Sequence, residues 1–479
     1  MSIYLFVICL IPPTLIASLL FLRKRRFNKL IIAVLSATLF HEVCLVSYPV
    51  LHSIVTDFYF EKSMDISVSS TDLLEVMVGE SIYVLMFCLA LMFGLGMRKP
   101  RKKRDINIFH DSSIIPKAEY HFLGFLIVLG GIFFGLQLIM IGAVIENSVL
   151  AQVYDWSAGA FFSFTPLVAS AILITKKQSF KKYPLLSKFA LICLISLVII
   201  GILTGARGRI MWVAFLIAIT GYLNSERKYL IISVVLLFIF LPLFSFLGGQ
   251  KNLVAHSILT GGRPSDLLQI IFEERIDISI VTEQNVSFLD SFAERAQGPR
   301  NSVVLYNLYD KGAGADPSIY LGAILFPVPR FFWSEKPIPG SLDGKDENSA
   351  VHKVMDIGYN LSYMGPLLAS AHAYWEGGWI AVFSYGFITG LLWSFIFAFC
   401  ERLPKNIAII IALSFAASLL IDGFLTAFYP LYSFILIFWK WVMPTLFLYG
   451  CIKLLGVNHA KPSSIVGNKN IDSDALRTI

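Results

Sequence analysis

From 189 to 203 the chain reads FALICLISLVIIGIL, with no charged residue. Runs like this one limit the fold more than any other feature. In lipid every backbone N–H and C=O must find its partner within the protein, so only helices and closed barrels span a membrane. A barrel strand shows about ten residues of alternating hydrophobicity. These runs are continuous and about 20 residues long, the length of a helical span. About eleven occur, near 3–22, 30–50, 73–97, 119–142, 158–175, 185–204, 208–223, 229–247, 378–399, 406–422 and 429–455. Composition agrees: 56% of the 479 residues are hydrophobic and 15% charged, against about a quarter charged in soluble proteins. The expected fold is an all-α polytopic membrane protein. The first run lacks a small-residue cleavage site and reads as a retained span.

Orientation follows the basic loops. RKRR at 23–26, RKPRKKR at 98–104, KKQSFKKY at 176–183, SERK at 225–228 and ERLPK at 401–405 all fall on one side. That side is expected to be cytoplasmic, with the N-terminus outside and the C-terminus inside. Four segments result: 1–247 with spans one to eight, a large external loop at 248–377, 378–455 with spans nine to eleven, and a polar, disordered cytoplasmic tail at 456–479. A loop of that size is expected to hold structure of its own. SDLLQIIFEERI (265–276) and NSVVLYNLY (301–309) read as short helices. LGAILFPVPRFFW (321–333) reads as a segment at the membrane interface. No internal repeat is visible, which weakens a transporter reading. None of the six cysteines lies in the large loop, and no CxxC or Cys/His cluster suggests a metal site.

Three stretches carry chemistry. TGARGRI (204–210) sets Arg207 and Arg209 at an external hairpin between two spans. Gly205 and Gly208 loosen the backbone there, so both guanidinium groups could converge on one anion at the N-terminus of the next span. The planar fork of arginine suits a phosphate. The plainer account is a pair snorkelling to the headgroups. FPVPRFFWSEKPIPG (326–340) sets Arg330, Trp333 and Lys336 among aromatics and prolines, which fits either sugar contact or an interfacial belt. GYNLSYMGPLLASAHAYWEGGW (358–379) brings Tyr359, Tyr363, His372, Tyr374 and Glu376 to the outer membrane surface. His372 and Glu376 are four apart and share a helical face, and both are residue types that deprotonate hydroxyls. A solvated helix start with an aromatic belt is the alternative. Arg300, after Gly-Pro and before a helix start, is a third basic contact. His41 and Glu42 lie inside the second span, where interhelical hydrogen bonding is the simpler account. No DxD-type acidic motif stands in the loop, and no Walker or GxGxxG phosphate loop is present.

TGARGRI, PRFFWSEKP (329–337) and SAHAYWEGGWIAVFSYGFITG (370–390) together resemble the bacterial O-antigen polymerase (Wzy-type) family. Its members show a T-G-x-R-G hairpin, a P-R-x-x-W-x-x-K-P segment, about a dozen spans and one dominant external loop. His372 departs from the pattern, standing where many members carry an acid. The resemblance implies a metal-independent, GT-C-like glycosyltransferase without cofactor, in the bacterial inner membrane with its active site facing the periplasm. Donor and acceptor would both be oligosaccharides on undecaprenyl diphosphate, held among membrane lipid. The diphosphate would meet Arg207 and Arg209, with Arg300, Arg330 and Lys336 as further contacts. His372 or Glu376 would activate the acceptor hydroxyl. Trp333, Tyr359, Tyr363 and Tyr374 would meet the glycan. A co-polymerase that sets chain length is the implied partner; nucleic acid is not. The rival readings are an O-antigen ligase passing glycan to lipid A-core, a lipid-linked oligosaccharide transporter, and a scaffold.

Overall fold

The structure, a computed structural model, describes residues 2–23, 29–56, 68–96, 117–141, 161–176, 179–203, 207–236, 298–312, 314, 367–421 and 443–454. Helix accounts for 92% of what is described, with no strand among the described residues. Helices α1 (Ser2–Cys9) and α2 (Ile11–Arg23) form the first apolar stretch. The second is α3 (Lys29–His41), a π-helical segment (Glu42–Ser47) and α4 (Tyr48–Thr56). Then follow α5 (Ser70–Gly96), α6 (Lys117–Ile141), α7 (Phe161–Thr175), α8 (Ser179–Lys182), α9 (Pro184–Leu203) and α10 (Arg207–Leu223). After α11 (227–236) come α12 (Gly298–Asp310), α13 (Ala369–Cys400), α14 (Lys405–Ile421) and α15 (Met443–Leu454). Each apolar run expected from the sequence is helical where it is described, apart from a turn at Leu10 and the break at Gly378.

Among the described residues, four helical stretches are long and apolar enough to cross a membrane: Ile3–Leu22, Lys29–Val55, Ser70–Gly96 and Ala369–Cys400. Their outer faces are apolar as well as their inner ones. Ile380 is 81% exposed and Phe395 68%, while Trp393 and Phe397 on the same helix are buried. A helix apolar all round fits a lipid surround.

One end of the bundle gathers the residues that flank the basic stretches. Lys29 donates to the Ser225 hydroxyl, and Asn224 Nδ2 donates to Thr175 Oγ1 at 2.9 Å. The Tyr229 hydroxyl donates to the Ile174 carbonyl at 2.7 Å, and Asn406 donates to Glu119. The rings of Tyr120 and Tyr183 stack with centroids 3.8 Å apart. This is called the basic end below, and the other the loop end. A larger apolar core with Leu30, Phe122, Ile172, Phe397 and Ile410 fills the bundle toward the basic end. A second core with Leu5, Val46, Leu73, Val304 and Trp375 fills the loop end.

The site rests on α5 and α13. A reciprocal cap starts α5: Asp72 N–H donates to Ser69 Oγ, and Ser69 N–H to Asp72 Oδ2. Helix α13 then runs parallel to α5. Tyr83 pairs with Thr389 through their hydroxyls at 2.8 Å. A β-carbon at Gly386 would stand 2.5 Å from the Tyr83 carbonyl oxygen, and one at Gly390 would strike the Phe87 carbonyl. Gly386 and Gly390 are four apart, the small-xxx-small spacing that lets two backbones touch in lipid.

Helix α13 is not continuous. Gly377 (φ −166°, ψ 29°) and Gly378 (φ 61°, ψ −152°) leave helical geometry. Beyond them, residues 379 to 394 follow α5 from Gly79 to Gly94 in the same direction. Before them the direction is reversed: Ser370 bonds Glu80, whereas Tyr374 lies beside Glu75. Residues 369–376 therefore form a short re-entrant helix that rises toward the loop end and turns back at the glycines. The 22 residues left, 379–400, would reach about 33 Å as a helix, enough to span on their own. The stretch before Gly377, expected near the outer membrane surface, is buried against the neighbouring helices.

Non-helical backbone survives at such depth only where protein satisfies it. Helix α12 does so. It is buried from Gly298 to Tyr306, and Ser302 Oγ accepts the Leu368 N–H at 2.8 Å. The short helix expected at 301–309 is thus present, but as a core element of the loop end.

Candidate functional site

Ionisable and hydroxyl groups converge below the re-entrant helix. His41 and Glu42 come from the start of the π-helical segment, Glu80 from α5, Ser370 and His372 from the re-entrant helix, and Tyr306 from α12. All are buried. His41 Nδ1 stands 3.4 Å from Glu42 Oε1. The Glu80 carboxylate accepts from Ser370 through both its hydroxyl and its backbone N–H. It therefore caps the first turn of the re-entrant helix from a neighbouring helix. Glu42 and His41 both lie within electrostatic reach of Glu80. Burial first, then the charges of Glu80 and Glu75, push the Tyr306 phenol well above its ordinary pKa. Carboxylates and an imidazole held at this depth are costly unless they are used or paired.

A rim lies one turn further toward the loop end. The Tyr374 hydroxyl donates to Asp310 Oδ1 at 3.1 Å, with Glu75 beside it. The Tyr374 ring stacks on Tyr306 at 4.0 Å between centroids and meets Tyr309 and Trp379 edge-on at 5.0 and 5.2 Å. The Tyr385 hydroxyl donates to Glu376. Trp379, Tyr309 and Glu376 are half-buried and Asp310 is exposed, so this rim faces outward from the buried cluster. Among the described residues no group of three His, Cys, Asp or Glu could hold a metal ion.

The four described loop-end residues singled out from the sequence fall here, though not as expected. His372 is buried and Glu376 half-buried, on one short helix. Tyr374 belongs to the aromatic rim. Arg300 is 6% exposed within the first turn of α12 rather than ahead of it. Arg207 and Arg209 lie in the first turn of α10, so Gly208 is helical and does not belong to a loosened turn. A regular helix sets their α-carbons about 200° apart around the axis. The level of that turn can be derived. Leu223 ends α10 beside Asn224 and Ser225 at the basic end, where Lys29 starts α3. From Leu223 back to Arg207 the helix climbs about 24 Å, and from Lys29 to Glu42 about 20 Å. The two helices pack together. The first turn of α10 thus stands near the level of the His41–Glu42 segment. Trp333, Arg330, Lys336, Tyr359 and Tyr363 lie outside the described residues.

Glu80, Ser370, Tyr306, Glu75 and Asp310 were not singled out from the sequence. Glu80 carried a signal, being a carboxylate within a long apolar run. The others gain meaning only from the fold. Comparison with known proteins brings no match: no family model, no curated protein and no solved structure matches the chain.

Proposed function

We propose that this chain is a membrane glycosyltransferase that joins undecaprenyl-diphosphate-linked oligosaccharide repeat units into a surface polysaccharide. The O-antigen polymerase-like motifs motivate the reading. One relationship carries it: counted by helical rise from the basic end, the arginine-bearing first turn of α10 and the buried His41–Glu42 pair stand about 24 and 20 Å along two packed helices. A transfer from a lipid diphosphate needs these two things at one depth. Arg207 and Arg209 would neutralise charge that grows on the diphosphate as the anomeric bond breaks, an electrostatic contribution to the transition state. An acid–base group nearby would take the proton of the acceptor hydroxyl. The aromatic rim of Tyr309, Tyr374 and Trp379, with the Asp310 carboxylate, offers ring faces and acceptors suited to a sugar. On this reading the loop end faces the periplasm of the inner membrane.

The test is direct. Purified protein in lipid nanodiscs is supplied with lipid-linked repeat units, and the product glycans are sized. Growth in steps of one repeat is expected; no growth ends the reading. Deletion in the source cell separates polymerase from ligase. Loss of a polymerase leaves single-repeat surface glycans, whereas loss of a ligase leaves polymer on its lipid carrier.

A lipid-linked oligosaccharide transporter is the second reading. Buried His41, Glu42 and Glu80 beside a broken helix are features that transporters use. Transfer of a labelled lipid-linked oligosaccharide across a liposome bilayer, without glycan growth, would favour it.

A further inference from the structure

Within the buried cluster most polar atoms have a use. Glu80 caps the re-entrant helix through Ser370. Glu42 Oε1 faces His41 Nδ1 at 3.4 Å. Glu42 Oε2 and His41 Nε2, on neighbouring residues, are among the buried atoms that have no hydrogen-bond partner among the described residues. Both side chains are at most 5% exposed. A buried acceptor without a donor costs about 1–3 kcal/mol. Among the described residues no neighbouring helix supplies a hydrogen bond to these two atoms.

The backbone adds an independent sign. His41 ends α3 and Glu42 opens the π-helical segment. Short π insertions are rare and cluster at functional sites. With its proton on Nδ1, the nitrogen that faces Glu42 Oε1, the His41 imidazole has Nε2 as an acceptor. The pair thus offers acceptors and lacks a donor, the complement of a hydroxyl-rich ligand.

We propose that Glu42 is the catalytic base that receives the acceptor sugar's hydroxyl, with His41 as the positioning residue that holds its other oxygen. This rests on the glycosyltransferase reading above. The hydroxyl O–H bond breaks and its proton passes to Glu42 Oε2. The oxygen's electron pair forms the new bond to the donor's anomeric carbon. The bond from that carbon to the diphosphate oxygen breaks, and its electrons leave with the diphosphate. Glu376, which the Tyr385 hydroxyl engages, then stays at the rim.

The test uses full-length protein in nanodiscs with lipid-linked repeat units, comparing wild type, Glu42→Gln and Glu42→Asp. Glu42→Gln keeps the size and removes the proton acceptor. Its kcat is expected to fall about 10²- to 10⁴-fold, with the donor KM unchanged. Glu42→Asp draws the carboxylate back by one methylene and is expected to lose at least about tenfold in kcat, since catalytic geometry tolerates little displacement. Wild-type turnover in Glu42→Gln overturns the proposal and leaves the transferase reading standing. If Glu42→Gln fails to fold, Glu42→Asp decides, and wild-type turnover there overturns it. Wild-type protein that extends no glycan overturns both.

Discussion

The Tyr306 hydroxyl occupies the volume that a β-carbon at Gly79 would need. The ring has no room to retreat, being 2% exposed and stacked on Tyr374. Gly79→Ala should therefore push α12 away from α5 and cost about 1–3 kcal/mol, the range for overpacking a filled core. Removing the hydroxyl should relieve much of this. Thermal unfolding in detergent of Gly79→Ala, Tyr306→Phe and the pair forms a double-mutant cycle. Additive losses would show that the contact is unimportant.

The glycines of the re-entrant turn should respond unequally. Gly377 has an extended φ that any residue adopts, while Gly378 has φ 61° and ψ −152°. That region is essentially closed to other residues and costs them about 1–3 kcal/mol. A methyl at Gly378 would also approach the Tyr309 hydroxyl to 2.8 Å. Gly378→Ala should lower the unfolding temperature and Gly377→Ala should change it little. Equal effects would mean that the turn does not hold this geometry.

Glu80 and Ser370 test the cap. Glu80→Ala strips two donors of their acceptor in a buried place, at about 1–3 kcal/mol. Ser370→Ala removes only the hydroxyl and keeps the backbone bond, so its loss should be smaller. Limited proteolysis within 360–370 should report the same order. A greater loss in Ser370→Ala would count against the cap.

The apolar helices were readable because hydropathy is a local property, summed over about 20 residues without knowledge of neighbours. The break at Gly377–Gly378 coincides with the expected start of the ninth span at 378 for the same reason. What the glycines do there was not readable. The short helix before the glycines is held by a residue far away in the chain, Ser302, which takes up the Leu368 N–H. Glu80 was overlooked because one carboxylate barely alters the average of a 27-residue apolar helix. Gly386 and Gly390 were quoted from the sequence without their meaning, since close approach needs a partner surface, here the carbonyls of Tyr83 and Phe87. The glycines beside Arg207 and Arg209 read as loosening a turn, but Gly208 lies in the first turn of α10.

If Arg207 and Arg209 lie about 200° apart on one helical turn, they need not grip the same diphosphate. One can serve the donor while the other meets the headgroup region or the acceptor's carrier. Arg207→Ala and Arg209→Ala should then differ. Loss of the donor arginine should cut kcat on the order of 10²- to 10³-fold, as expected for removing a group that stabilises developing charge. Loss of the other should mainly raise KM for the acceptor. Lysine at the donor position should rescue poorly, because a point charge cannot replace a bidentate fork. Initial rates of glycan extension, with donor and acceptor varied separately, separate the two. Equal losses in kcat from both alanine variants would instead restore a shared grip on one diphosphate.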